Sequence, residues 1–330
     1  MIPEKKLDAV KNALRAAFEV SEFEDISIMT SGLSSALVFR IVVKGKPYLL
    51  RIITRTDEMG DPTNQFANMK AAAEAGIAPP IWYMSIEDRI SITDFVEDRQ
   101  FPISEAKTKL PELIRRMHSL PPFHKLMNYQ SNIDGFLRNF QDSKMLPEII
   151  TEELFKQYNR IFAVYPRNDQ DLVSCHNDLK PENILFDGEK VWLVDWEAAF
   201  LNDRYADIAI VANFVVNSDE EEAEYLRSYF GETVDDYRHA RFFLARQILH
   251  MHYIAIFMLF GAKGKPVDVD IIKPKFRDFH NQIWDGEISL ASDEAKIKYS
   301  LVHMEQFLHN TKAHRFEDAL HIVSSSHRLM

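Results

Sequence analysis

Apolar residues recur at two different spacings along this chain, and the change of spacing divides it. Over residues 4–20, Leu7, Val10, Leu14 and Phe18 fall on one face of a helix. Strand-like runs follow at Ile26–Met29, Leu37–Val43 and Pro47–Ile53, the last two separated by Lys44-Gly45, a hairpin dipeptide. An alanine-rich segment, Asn64 to Ala75, predicts a helix stopped by Gly76 and Pro79-Pro80. Two more strands are expected at Ile81–Ser85 and Ile90–Val96, turning at Glu87-Asp88. Beyond about residue 98 the pattern becomes helical. Pro111–Leu120 predicts a helix with proline in its first turn. Ser218 and Glu221 form a capping box for a helix ending at Gly231, and a long apolar helix runs from Val234 to Phe260. Residues 261–274 carry Gly261, Gly264, Pro266 and Pro274 and predict a loop, with two helices, near 275–285 and 292–311, completing the chain. The expected architecture is α+β, a small β-rich N-terminal domain (1–96) followed by a larger helical one (97–330).

A length of 330 residues exceeds what one core usually serves, and 46% hydrophobic content supplies material for two, which excludes a disordered chain. The net charge of −11 argues against non-specific binding to nucleic acid or to an anionic membrane. The one cysteine, Cys175, can form no internal disulfide and offers no CxxC metal framework. The N-terminus lacks a signal peptide's apolar core. Tyr253 to Phe260 is the strongest apolar run, and at eight residues it predicts a buried helix and no integral membrane contact. A cytoplasmic protein is the expectation.

The densest chemistry lies in His176-Asn177-Asp178-Leu179-Lys180-Pro181-Glu182-Asn183, with Asp195 twelve residues further on. Between them Ile184–Phe186 and Val191–Val194 flank Asp187-Gly188, so a hairpin brings Asn183 and Asp195 side by side. Phosphoryl transfer needs a carboxylate to orient and deprotonate a hydroxyl, and oxygen ligands to hold Mg²⁺ on nucleotide phosphates. Asp178 suits the first role, Asn183 and Asp195 the second, and Lys180 can neutralise the transferred group. The bland alternative is a polar turn whose Asp and Asn side chains cap backbone groups. No zinc site is expected, since His250 and His252 diverge on a helix and HExxH is absent.

This block resembles the protein-kinase-like superfamily, specifically the choline/ethanolamine kinase branch of the aminoglycoside phosphotransferase group. The stretch Asp195-Trp196-Glu197, then Asn202, Arg204, Asp207 and Ile208, is similar to that branch's pattern D-[FW]-E-x₄-N-x-R-x₂-D-[IL]. The resemblance implies a bilobal kinase-like fold using ATP and Mg²⁺. It implies that Asp207 and His176 are structural, anchoring and bracing the catalytic loop. It places Thr30-Ser31-Gly32-Leu33-Ser34-Ser35-Ala36 as the phosphate-binding loop, with Ser31, Gly32, Ser34 and Ser35 near phosphate oxygens, and Arg51 as the nucleotide-binding cation. The helix glutamate that would pair with that cation is missing, and Gln65 stands in its place. Backbone groups of Asp94 and Val96 are expected to meet adenine, and Met117-His118-Ser119-Leu120-Pro121 resembles a structural helix end. The implied partner is a small acceptor, a cationic amino alcohol held among aromatic rings. Here His250 and Tyr253 replace two tryptophans of the family, and Tyr253, Trp284 and Glu197, with Phe279 or Tyr237, are the acceptor-site candidates. The function implied is phosphorylation of choline or ethanolamine. Alternatives are another acceptor (an aminoglycoside, thiamine or a sugar) or a non-catalytic nucleotide-binding scaffold.

Overall fold

Alternation of side chains across a pleated strand builds the N-terminal sheet. In the computed structural model, which describes residues 2–29, 36–57, 60–125, 129–166 and 172–327, five strands pair antiparallel in the order β1-β2-β3-β5-β4. They are β1 (Asp25–Ile28), β2 (Ala36–Val43), β3 (Lys46–Ile53), β4 (Ile81–Ser85) and β5 (Ile90–Asp94). Lys44 and Gly45 both adopt positive φ, 51° and 72°, the primed turn that a two-residue hairpin requires. Phe39, Ile41, Val43, Leu50, Ile52, Ile90 and Ile92 bury one face against Val10, Leu14 and Phe18 of α1 (Leu7–Phe18). Helix α2 (Thr63–Glu74) follows β3 as expected. The predicted phosphate-binding residues Ser31, Gly32, Ser34 and Ser35 lie outside the described residues.

The chain divides into two compact units, and the division is not the linear one at residue 96. The first comprises Met1–Phe101, Ser119–His124 and Glu182–Phe200; the second comprises Pro102–His118, Lys125–Pro181 and Leu201–Met330. The hairpin β7 (Ile184–Phe186) and β8 (Val191–Leu193) therefore belongs to the first unit although it lies deep in the sequence. Backbone bonds hold it there: Leu193 N–H donates to the Ile77 carbonyl at 2.9 Å and Arg99 N–H to that of Phe186 at 2.7 Å. Phe186 also stacks on Phe101 with centroids 4.6 Å apart.

The second unit is helical: α3 (Ile103–His118), α4 (Tyr129–Ser143), α5 (Glu148–Phe162), α6 (Arg204–Val215), α7 (Asp219–Phe230), α8 (Asp236–Ala262), α9 (Phe276–Trp284), α10 (Asp293–Asn310) and α11 (His314–His327). Strand β6 (Leu172–Cys175) pairs with β9 (Phe200–Asp203) beside them. Three expectations change. Pro111 does not open a helix; it sits inside α3, which starts eight residues earlier because Ala106, Leu110, Leu113, Ile114 and Met117 form one buried stripe. Burial of that stripe, with Pro111 itself buried in it, outweighs the backbone bond a proline forfeits. A third helix, α11, follows α10, so two helices do not finish the chain. In the capping box Ser218 Oγ accepts Glu221 N–H at 3.2 Å, but the Glu221 carboxylate reaches Asn217 N–H, at 2.7 Å, one residue further back than the motif's usual partner.

Helix α8 is long and apolar enough to cross a bilayer by length and composition, yet 67% of its most apolar stretch is buried. It packs on α10, α11, α6, α4 and α5 and carries the unit's core. Within that core lies a cluster of neutral imidazoles. His250 and His303 share a hydrogen bond between their Nδ1 atoms at 2.7 Å. His280 donates from Nδ1 to the Phe276 carbonyl at 2.8 Å and accepts the Tyr299 hydroxyl at 3.2 Å. Burial pushes all of them below the ordinary value of 6.5: His280 to about 3, the neighbouring His252 to about 4, and His250 and His303 downward as well.

These imidazoles take a proton near pH 6.5 in the unfolded chain but only at lower pH when folded. The unfolded state therefore binds more protons between those limits, and acid destabilises the unit at up to ~1.4 kcal/mol per pH unit per imidazole. Chemical denaturation across pH should show stability falling steeply from about pH 6.5 towards pH 4. His303→Gln should flatten that slope; a wild-type profile without a slope there would refute the assignment.

Candidate active site

The polar run from His176 leaves β6 and is held in the second unit by one carboxylate. Asp207, in the first turn of α6 and fully buried, accepts the His176 N–H at 2.8 Å and the Asn177 N–H at 2.7 Å, one on each oxygen. An ionised carboxylate only accepts, so His118 presents Nε2–H to Asp207 at 3.0 Å, and its Nδ1 takes the Tyr229 hydroxyl at 2.6 Å. Burial pushes the Asp207 carboxyl up, but the hydrogen bonds it accepts, from His118 and from the His176 N–H among them, outweigh it and leave it below the ordinary 3.8. Asn177 adopts φ 65°, a left-handed conformation asparagine tolerates, and Asn202 Nδ2 donates to its side-chain oxygen at 2.7 Å. His176 is itself fully buried, and its recorded bond to Asp207 is through its backbone. Beyond this braced segment Asp178 and Lys180 emerge, about one third exposed, with Lys180 Nζ 2.9 Å from the Asp178 carboxylate.

Cys175, at the end of β6, is buried under the same loop. Its sulfur lies 3.6 Å from His118 Nε2 and 3.5 Å from the Asn202 carbonyl. Burial and the nearby carboxylates of Asp207 and Asp203 push its thiol well above the ordinary 9.0. His118, Cys175 and Asp207 are close enough to hold a metal between them. Each is already engaged in the bonds just described, so this trio is a brace.

In the first unit the hairpin delivers a second group of residues. Val194 N–H donates to the Asn183 carbonyl at 3.0 Å, which sets Asn183 and Asp195 on adjoining backbone. Asp195 takes a left-handed conformation, φ 63° and ψ 68°, and leads into a 3₁₀ turn, Trp196–Ala198. Trp196 anchors that turn: it is buried, donates from its indole to the Leu193 carbonyl at 3.2 Å, and meets Phe123 edge-on. Arg51, on the central strand β3 in register with Val38 and Ser91, places Nη1 2.9 Å from Asp195 Oδ1 and Nη2 3.2 Å from Glu197 Oε2. Its side chain is 13% exposed. Asp94 ends β5, its N–H donating to the Pro80 carbonyl at 2.9 Å and its carboxylate accepting from the Trp82 indole at 2.7 Å, and half-buried Val96 follows. Asn183 and Asp195 offer an amide oxygen and a carboxylate from adjoining backbone, one buried and one 19% exposed. That donor set fits a small hard cation such as Mg²⁺.

The predicted acceptor aromatics are gathered only in part. Half-buried Tyr253 rests among Phe257, Tyr299 and His303, with centroids 5.4, 5.9 and 5.1 Å away. Phe279 is buried against Tyr299, at 5.4 Å. Trp284 meets Phe214 at 6.3 Å at the far end of the same train of rings. Tyr237 does not belong with them: sixteen residues along α8 place it about 24 Å from Tyr253. His250, aligned with a tryptophan of the family, is fully buried within the imidazole cluster. The sequence reading missed Asn68 and Tyr229. Asn68 is a buried asparagine sharing a helix face with Ala72, and its Nδ2 donates to the Ala199 carbonyl at 2.8 Å. That polar residue on an apolar face was the available signal; nothing in the sequence marked Tyr229.

Residues 25–243 match a family model described as the phosphotransferase enzyme family. The chain belongs to that family. Among solved structures it is similar to a choline/ethanolamine kinase family protein from Mesorhizobium loti, with TM-score 0.66 and 18% identity over 97% of this chain and 99% of that one. It is also similar to the streptomycin–ATP ternary complex of APH(2")-IIa, with TM-score 0.55 and 13% identity over 77% of this chain and 90% of that one. These likenesses establish the shared α+β, kinase-like fold. In sequence it is 30% identical over 94 residues to Protein LicA of Haemophilus influenzae, a match spanning 28% of this chain and 27% of LicA.

Removing the brace should be costly, because it strands two buried N–H groups and an imidazole. Asp207→Ala should lower unfolding free energy by about 3 kcal/mol or more. Denaturant titration measures it, and a loss below about 1 kcal/mol would contradict the role given to Asp207.

Proposed function

We propose that this phosphotransferase-family protein transfers the γ-phosphoryl group of ATP to the hydroxyl of a small amino alcohol, choline or ethanolamine. The observation that carries the reading is the catalytic block itself: Asp178 lies on the braced loop, and the hairpin sets Asn183 beside Asp195. Asp178 orients the acceptor hydroxyl in line and takes its proton as the oxygen attacks phosphorus. Lys180, whose Nζ lies 2.9 Å from the Asp178 carboxylate, places its charge on the transferred group. Asn183 and Asp195 would hold Mg²⁺, which when bound neutralises charge on the nucleotide phosphates. Arg51 engages the phosphates through its two-pronged guanidinium.

Support for the acceptor class comes from the likeness to a choline/ethanolamine kinase family protein over nearly the whole chain. Half-buried Tyr253, packed on Phe257 and Tyr299, is the ring proposed to meet an ammonium group. The likeness to a streptomycin–ATP complex keeps aminoglycosides among the acceptors to be tried.

Incubation with MgATP and a pool of choline, ethanolamine, thiamine, sugars and aminoglycosides, read by mass, tests the reading. Choline or ethanolamine should gain a phosphoryl mass. Asp178→Asn should lower turnover by about a thousandfold while MgADP still binds. A gain on another acceptor would overturn the acceptor class, and near-normal turnover by the variant would overturn the mechanism.

A further inference from the structure

Arg51 is seated on the central strand of the first unit, and two of its ionic partners lie on a turn away from the neighbouring helix. Helix α2 carries no acid in its first turn, and half-buried Gln65 stands where an acidic residue was expected. The one acid on α2, Glu74, lies in the last turn, with Lys70 3.9 Å away. Two carboxylates on the Arg51 guanidinium come from the turn after β8: Asp195 at 2.9 Å and Glu197 at 3.2 Å. Under the proposed function Asp195 would also hold a cation. Glu197 supplies a carboxylate to Arg51 from the same turn.

We infer that Glu197 is a positioning residue for Arg51, doing from the 3₁₀ turn what a glutamate on α2 would do, and that Asn68 is the latch between α2 and that turn. The inference rests on the phosphotransferase reading and extends it. Local geometry supports each part. Buried Trp196 fixes the turn from below through its bond to Leu193. Asn68, 3% exposed, fixes it from α2 through the Ala199 carbonyl, two residues past Glu197. Helix α2 thus contributes an amide in place of a charge, and the carboxylate it holds in reach is supplied by the turn. The guanidinium suits this arrangement, because its two Nη atoms address Asp195 and Glu197 separately. The assignment moves Glu197 from the acceptor side, where the sequence reading put it, to the nucleotide side.

Calorimetric titration with MgADP of the full-length wild type, Glu197→Gln, Arg51→Gln and the double variant tests the coupling, with KM for ATP and for the acceptor measured alongside. Glu197→Gln should weaken MgADP by about fivefold and raise the KM for ATP to match, leaving the acceptor KM unchanged. The double variant should bind no more weakly than Arg51→Gln alone, since the pair acts as one unit. Glu197→Asp should be intermediate, and Asn68→Ala should weaken MgADP in the same direction. Additive losses in the double variant, or a raised acceptor KM with MgADP affinity intact, would overturn the inference while leaving the phosphotransferase reading in place. A wild type that fails to bind MgADP would overturn both.

Discussion

A carboxylate with no solvent exposure is tolerated only where the surrounding donors repay its lost hydration, and Asp207 is that case. Two consecutive backbone N–H groups and one imidazole converge on its two oxygens. Those donors come from parts of the sequence that are far apart: the end of α3, the residues after β6 and, through the hydroxyl on His118, the end of α7. The second unit cannot leave Asp207 satisfied without placing all of them correctly. The loop carrying Asp178 therefore has its backbone direction fixed, the preorganisation that the proposed in-line displacement would use.

The first unit solves a different electrostatic problem. A cation on a central strand needs a counter-charge, and two counter-charges here sit on one short turn. The left-handed backbone of Asp195 is the feature that turns the chain there, and a buried tryptophan directly after it keeps the turn from relaxing. Strand, hairpin and turn are local structures whose side chains reinforce one another, so the polar groups at their ends inherit a fixed spacing.

Much of this was legible in the sequence, and the reasons differ by element. Lys44-Gly45 and Asp187-Gly188 announced hairpins because their chemistry admits few other turns. Alternating Phe39, Ile41 and Val43 announced a sheet face. The ordered run from His176 to Asp207 stood out because its polar residues are closely spaced and its Asp187-Gly188 turn folds Asn183 back towards Asp195. What escaped was decided by tertiary burial. Pro111 reads as a helix start, and only the packing of α3 makes it an interior residue. The unit boundary escaped because the hairpin's attachment to Ile77 and Arg99 is made through backbone bonds that no side-chain pattern encodes. Tyr253 and Trp284 were singled out individually, but the chain of rings joining them requires α8, α9 and α10 to be packed first. Glu197 was read from its place in a motif, whereas its partner was set by which strand the turn abuts.

The lone cysteine beneath the catalytic loop gives the molecule a built-in reporter. A thiol that is buried, hydrogen-bonded to the strand carbonyls and held protonated is nearly inert to alkylating reagents. It becomes reactive only when β6 and the residues after it detach from α6. The labelling rate of Cys175 under native conditions is thus set by the free energy of opening that one segment, and it can be followed separately from the unfolding of the rest of the chain.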